Sequence, residues 1–197
     1  MKNIVVFASG SGSNFQSIID AVQNGSLHAH IAGLISNKSG IKALERAEKH
    51  GIPTLVISET EFHEYEVYER QLLLQLENWN TDLIALAGYL RKIPASIIKA
   101  FENRILNIHP SLLPKYGGKG FYGINVHKAV LEAKETMSGC SIHVVSEEYD
   151  KGPILEQATV DVLASDTPEE LAARVLQQEH LIYPKVIETY LNTLNEN

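Results

Sequence analysis

The sequence predicts an α/β fold built on a mostly parallel twisted sheet, with helices on both faces and an antiparallel portion near the C-terminal end. Three observations carry this. Short β-branched apolar runs alternate with segments of helical period through the first hundred residues, the order that produces a parallel sheet. The first run passes directly into a glycine-serine turn, "SGSGSN" at 9–14. In the last third, two strand-like segments follow one another with only the turn "EEYDKGP" between them, which makes them antiparallel neighbours.

Residues 3–8 form a continuous apolar run, as expected of a strand buried on both faces. A helix follows over 14–24, with Phe15, Ile18, Ile19 and Val22 at helical spacing. A second strand is expected over 29–35 and a second helix over 41–50, closed by Gly51. A short strand at 54–57 leads into a long amphipathic helix over 61–79, a buried strand "DLIALA" at 82–87 and a short helix at 94–101. The next strand ends at His109, because Pro110 removes a backbone donor and biases the residue before it toward extended geometry. Residues 110–123 hold two prolines and four glycines and read as a loop. A helix over 124–133, strands over 140–146 and 154–162, and a closing helix complete the pattern. Thr167 is the expected N-cap of that helix, with Pro168 in its first turn and Glu170 placed for a capping box. The whole reads as one Rossmann-like domain over 1–197.

The 197 residues suffice for one domain with a full core, and the composition, 44% hydrophobic and 21% charged, is that of an ordinary globular chain. A formal charge of -7 argues against a nucleic-acid-binding surface. It leaves room for a small anion, which backbone amides can hold without basic side chains. Cys140 is the only cysteine, so neither a disulfide framework nor a cysteine metal cluster is expected, and no His-rich spacing suggests a metal site. The first apolar run is too short to span a membrane and lacks a secretory cleavage pattern. The expectation is a cytoplasmic protein.

Two places invite chemistry. At 9–14, the amides of Gly12, Ser13 and Asn14 fall at a helix N-terminus, where unpaired N–H groups and the helix dipole favour an anion. The Ser13 hydroxyl and Asn14 amide add donors. A tight turn with a polar cap and no ligand is the plainer alternative; the third glycine of the dinucleotide fingerprint is missing, since Phe15 stands there, and no Walker lysine follows. At the strand exit "LNIHP", Asn107 and His109 are two residues apart and so share a face, while Leu106 and Ile108 point into packing. An amide donor beside an imidazole suits a reaction at a carbonyl, although most of the eight histidines must be structural. Asp150 in "YDKG" can equally be a turn aspartate bonding its own backbone. Glu179 falls on the apolar stripe of Leu171, Val175, Ile182 and Val186, where a carboxylate is costly unless it is paired or meets a ligand. His143 is either a supporting group near the site or a core histidine.

"SGSGSN" at 9–14, "LAGYLRKI" at 86–93, "LNIHPSLLPKY" at 106–116, "YDKGPIL" at 149–155 and "QEHLIYP" at 178–184 together resemble the phosphoribosylglycinamide formyltransferase family of folate-dependent enzymes. "HPSLLP" alone is shared by other formyltetrahydrofolate enzymes. The resemblance implies formyl transfer from 10-formyltetrahydrofolate, a co-substrate needing no metal, to the amine of glycinamide ribonucleotide in purine biosynthesis. It implies Asn107, His109 and Asp150 as catalytic residues, Asp150 keeping His109 protonated and ordering a water. Gly12, Ser13, Asn14 and Glu179 would hold the ribonucleotide, and Leu90, Arg91, Lys92 and Ile93, with Asn107, the folate. Residues 1–100 would then serve mainly the nucleotide phosphate, and 101–197 catalysis and folate. The expected partners are these small molecules, without nucleic acid or membrane, in a monomer or homodimer.

The chain also departs from the family pattern. Tyr65 falls where members often carry an arginine for the folate tail, so that contact is not carried over. Leu176 replaces a residue that is polar in some members, and the longer loop after Pro114 makes Lys119 and Tyr122 candidate substrate contacts. The rival readings are a formyltetrahydrofolate hydrolase, a methionyl-tRNA formyltransferase, a non-catalytic folate or nucleotide binder and a nicotinamide-dependent oxidoreductase. Against the last stand the missing third glycine and Ser36-Asn37 in place of a ribose-binding carboxylate.

Overall fold

The structure is a computed structural model that describes residues 1–194, so residues 195–197 of the predicted domain lie outside the described part. Seven strands form one sheet in the order β3-β2-β1-β4-β5-β6-β7. They are β1 (Lys2–Phe7), β2 (Ala29–Ser36), β3 (Thr54–Val56), β4 (Leu83–Leu86), β5 (Ile105–His109), β6 (Met137–Val144) and β7 (Ile154–Asp161). Pairing is parallel from β3 through β5 and antiparallel for β5–β6 and β6–β7. The mixed sheet expected from the sequence is the one observed.

Alternation along β1 shows how the chain fills both faces. Ile4 and Val6 join a core formed with Phe15 of α1 (Ser13–Gln23), Ala43 of α2 (Lys42–Lys49) and Tyr183 of α6 (Pro168–Thr193). Val5 and Phe7 point the other way, against Leu72 of α3 (Tyr65–Asn78) and Ile97 of α4 (Ala95–Ala100). Each such side chain contributes roughly 1.5–3 kcal/mol on burial, so the two-sided pattern gives β1 one tolerated register. A smaller core lies between α5 (Ile124–Glu132), α6 and the β6–β7 ribbon, through Val130, Cys140, Val160 and Val175.

Two boundaries differ from the sequence reading by three or more residues. The helix expected over 61–79 begins at Tyr65, because Ser58 and Glu61 close a capping box around a single 3₁₀ turn and Phe62 then runs extended. Strand β6 begins at Met137 rather than 140, because its pairing with β7 extends to Met137 opposite Asp161. Cross-strand partners of this kind leave no mark in local periodicity.

The strand order reverses between β1 and β4, whose ends lie level, Phe7 opposite Leu86. In an open α/β sheet the crevice at such a reversal is where ligands bind. Helix α6 closes it from one side. Its N-terminus carries the expected capping box, Glu170 N–H donating to Thr167 Oγ1 at 3.2 Å and Thr167 N–H to Glu170 Oε2 at 2.8 Å. At its middle the Tyr183 hydroxyl is fully buried and faces two strand carbonyls, Leu86 O at 3.0 Å and Leu106 O at 3.1 Å. Replacing Tyr183 by Phe removes the side-chain donor that these carbonyls share, and a buried acceptor left short costs roughly 1–3 kcal/mol. Urea unfolding of Tyr183→Phe should show a loss of that size with an unchanged m-value.

Candidate active site

The first wall of the crevice follows from the glycine-serine turn. Gly12 adopts φ 68° as the N-cap of α1, and a methyl group there would meet Ala43 Cβ at 2.7 Å, so both conformation and space require glycine. The turn aims the first amides of α1 outward with no acidic side chain in the first turn, an arrangement suited to an anion. The Asn14 side chain commits one of its two amide hydrogens inside the protein. Its Nδ2 donates to Glu179 Oε2 at 2.6 Å, with both residues buried, and its Oδ1 has no partner among the described residues. Burial raises the Glu179 pKa above the ordinary carboxylate value, and the Asn14 hydrogen bond offsets part of that rise.

The second wall is the exit of β5. Asn107 and His109 share a face as expected, and β6 lies beside them with His143 opposite Asn107. The Val144 carbonyl, 3.0 Å from His143 Nδ1, can only accept, so Nδ1 carries the proton. His143 Nε2 lies 3.0 Å from Asn107 Nδ2, which holds that amide in place and leaves it a second hydrogen for a ligand. His109 Nε2 lies 2.8 Å from the carbonyl of Tyr116, and its Nδ1 is 3.7 Å from Asp150 Oδ1. The same carboxylate oxygen is 3.5 Å from His143 Nε2, while Oδ2 accepts from Gly118 N–H at 2.8 Å. Asp150 therefore bonds across the loop as well as sitting in a turn, at φ 54°.

These contacts set the charges. Burial lowers the His109 pKa below its ordinary value, with the attraction of Asp150 and the Tyr116 carbonyl opposing only part of the fall. Burial therefore opposes the protonation of His109 that the resemblance implies, and Asp150 works against that opposition. Asp150 itself is held below the usual carboxylate range: burial raises its pKa, but the combined effect of His143, His109 and the Gly118 amide is larger.

The third wall is the bend after β4. Ser9 N–H donates to Gly88 O at 3.1 Å and Leu90 N–H donates to Ser9 Oγ at 2.9 Å, so the turn after β1 fixes the bend. Ser9 Oγ in turn donates to Asn37 Oδ1 at 2.6 Å. Arg91 lies 3.5 Å from Glu59, Lys92 sits over the Tyr149 ring at 5.7 Å, and Ile93 is buried beneath.

All three walls open onto one cavity of about 620 Å³. Gly12, Ser13, Asn14, Leu90, Arg91, Lys92, Ile93, Asn107, His109, Asp150 and Glu179 all line it, as do Lys119, Tyr122 and Leu176. Tyr65 does not line it and is exposed. The sequence did not point to three further features of the site: the Tyr116 carbonyl that His109 meets, the Gly118 amide and His127. The first two are backbone groups without a side-chain signature. His127 sits in a helix where spacing suggests only packing.

The sequence profile of the formyl transferase family matches residues 2–187. The chain belongs to that family. This formyl transferase is 48% identical over 187 residues, 95% of its length, to "Phosphoribosylglycinamide formyltransferase, chloroplastic" of Vigna unguiculata. It is 40% identical over 185 residues to "Phosphoribosylglycinamide formyltransferase" of Escherichia coli (strain K12), covering 94% of itself and 85% of that protein. It spans 60% of the Vigna protein and 64% of the corresponding Arabidopsis thaliana protein. Among solved structures it superposes on the phosphoribosylglycinamide formyltransferase from Bacillus halodurans with a TM-score of 0.90 at 36% identity, covering 96% and 95% of the two chains.

The buried pair of Asn14 and Glu179 has a measurable consequence. A carboxyl whose pKa is raised on folding stabilises the fold below its unfolded pKa, and that contribution is lost as the pH rises through the folded pKa. Glu179→Gln removes this penalty while keeping a group able to pair with Asn14. At pH 7 its Tm should exceed that of the parent by roughly 2–4 °C, the shift that about 1 kcal/mol produces in a chain of this size. The advantage should shrink toward pH 4, as read by thermal melts across that range.

Proposed function

We propose that this formyl transferase moves the formyl group of 10-formyltetrahydrofolate to the primary amine of glycinamide ribonucleotide, a step of purine biosynthesis. The observation that carries the reading is the convergence, in one cavity, of an anion corner at Gly12–Asn14 with an amide–imidazole–carboxylate cluster at Asn107, His109 and Asp150. The names of the relatives in Vigna unguiculata and Escherichia coli support it. The amides of Gly12, Ser13 and Asn14 hold the phosphate, Glu179 meets the ribonucleotide's polar hydrogens, and the segment Leu90–Ile93 receives the pterin. Residues of both halves of the chain thus serve each substrate, with 1–100 supplying the phosphate corner and 101–197 the reacting groups.

The amine nitrogen attacks the formyl carbon, and the carbonyl electrons move onto oxygen. The second hydrogen of the Asn107 amide stabilises that oxyanion, in an orientation fixed by His143. The resting His109 ring is neutral and able to accept the proton that the amine must lose. Once charged, it has an acceptor for each N–H, the Tyr116 carbonyl and the Asp150 carboxylate. The proton then passes to the folate N10 as the C–N10 bond breaks, giving formylglycinamide ribonucleotide and tetrahydrofolate. Asp150 holds the imidazolium between these steps. The reading extends to a cytoplasmic enzyme, consistent with a single free, buried cysteine, acting as a monomer or homodimer.

A spectroscopic assay following loss of 10-formylfolate, run with and without glycinamide ribonucleotide, tests this reading. Release of tetrahydrofolate should require the amine; release without it would make the protein a hydrolase. Asp150→Asn should lower kcat by roughly 10²–10⁴-fold, the range associated with a positioned proton-transfer group. Unchanged turnover in that variant would remove Asp150 from the proton path.

A further inference from the structure

His127 is the fourth residue of α5 and lines the cavity, yet the transfer mechanism gives it no part. It is 3% exposed, Nδ1 is sealed from solvent without a partner, and neither ring nitrogen has a hydrogen-bond partner among the described residues. A buried imidazole usually donates or accepts at least once, because an unmade bond costs the desolvation of that atom. Burial, reinforced by the neighbouring His109 ring, lowers its pKa to about 4, so the ring is neutral at physiological pH and carries one proton. Sealing a bare nitrogen lone pair at Nδ1 leaves that proton on Nε2, the atom not sealed from the cavity. Helix α5 packs on α6, whose Ala172, Leu176 and Glu179 line the flank beside the anion corner. On that flank Leu176 brings no polar atom, whereas His127, on the helix packed against α6, brings an imidazole to the cavity lining.

We propose that His127 is a ribonucleotide-positioning residue, its Nε2–H donating to a phosphate or ribose oxygen of the amine substrate. The inference rests on the ribonucleotide reading given above. A neutral donor suits the place: it grips an oxygen without adding a second positive charge beside His109 at the moment that ring takes up a proton. The Nε2–H, which has no partner among the described residues, is then the half of a hydrogen bond that a substrate oxygen completes.

His127→Leu, which removes the donor, and His127→Gln, whose amide can reach close to the Nε2 position, test the assignment. The leucine variant should raise KM for glycinamide ribonucleotide roughly tenfold, the scale of one lost hydrogen bond, with KM for the folate unchanged. The glutamine variant should recover most of that loss. Equal loss in both variants, or a parallel rise in both Michaelis constants, would mean that the ring only packs and would overturn the proposal. In parallel, ¹⁵N ring resonances of the parent protein should shift at His127 on adding the ribonucleotide and stay in place on adding a folate alone. No shift with a ribonucleotide that turns over would also overturn it, whereas absence of turnover in the parent would count against the transfer reading itself.

Discussion

Three parallel strands must lie in register for this site to exist, and the Tyr183 hydroxyl ties two of them, β4 and β5, to one helix. It lies between the carbonyls of Leu86, the last residue of β4, and Leu106, the residue before Asn107 in β5, with no access to water. One turn earlier on the same helix face stands Glu179, bonded to Asn14 in the first turn of α1. A single buried stripe of α6 thus fixes the sheet exits that present Asn107 and His109 and reaches the helix start that forms the anion corner. Tyrosine rather than phenylalanine is required because the strand carbonyls there need a donor, and only a fully buried ring can bring one to that depth.

Much of this arrangement was legible in the sequence because it is local. Period-2 geometry and Pro110 put Asn107 and His109 side by side, and the lack of a third glycine separated the anion turn from a dinucleotide fingerprint. Glu179 announced itself by sitting on an apolar stripe. Pairings across the chain were not legible. That Asp150 meets Gly118, thirty-two residues away, and shares an oxygen between two imidazoles follows from how the β6–β7 connection folds back over the loop. The balance of effects at His109 is hidden for the same reason: a carboxylate neighbour is visible in a motif, whereas the dryness that opposes it is a property of packing.

The buried polar groups at the site are also a cost to the fold. Glu179 is desolvated with a single side-chain partner, Asn14 Oδ1 has none, and His127 makes no hydrogen bond. Such groups normally find partners in proteins, and their concentration around one cavity reflects a surface shaped to be completed by something else. An apolar lining would leave the fold more stable, so the polarity of the site is kept at a cost to the fold.

The site is also divided between two kinds of backbone. Asn107 and His109 sit on an interior strand flanked on both sides, where a shift of one residue would reverse every side chain. Asp150 sits in the connection between two antiparallel strands, held by Gly152, where a Cβ would collide with the Val144 carbonyl. Connections of this sort tolerate insertion and exchange far better than central strands do. The carboxylate is therefore the part of the chemistry that descent can most readily remodel: a lineage can lengthen, reshape or discard that turn while inheriting the strand and the anion corner intact, so that new proton chemistry and old substrate grip evolve on separate clocks.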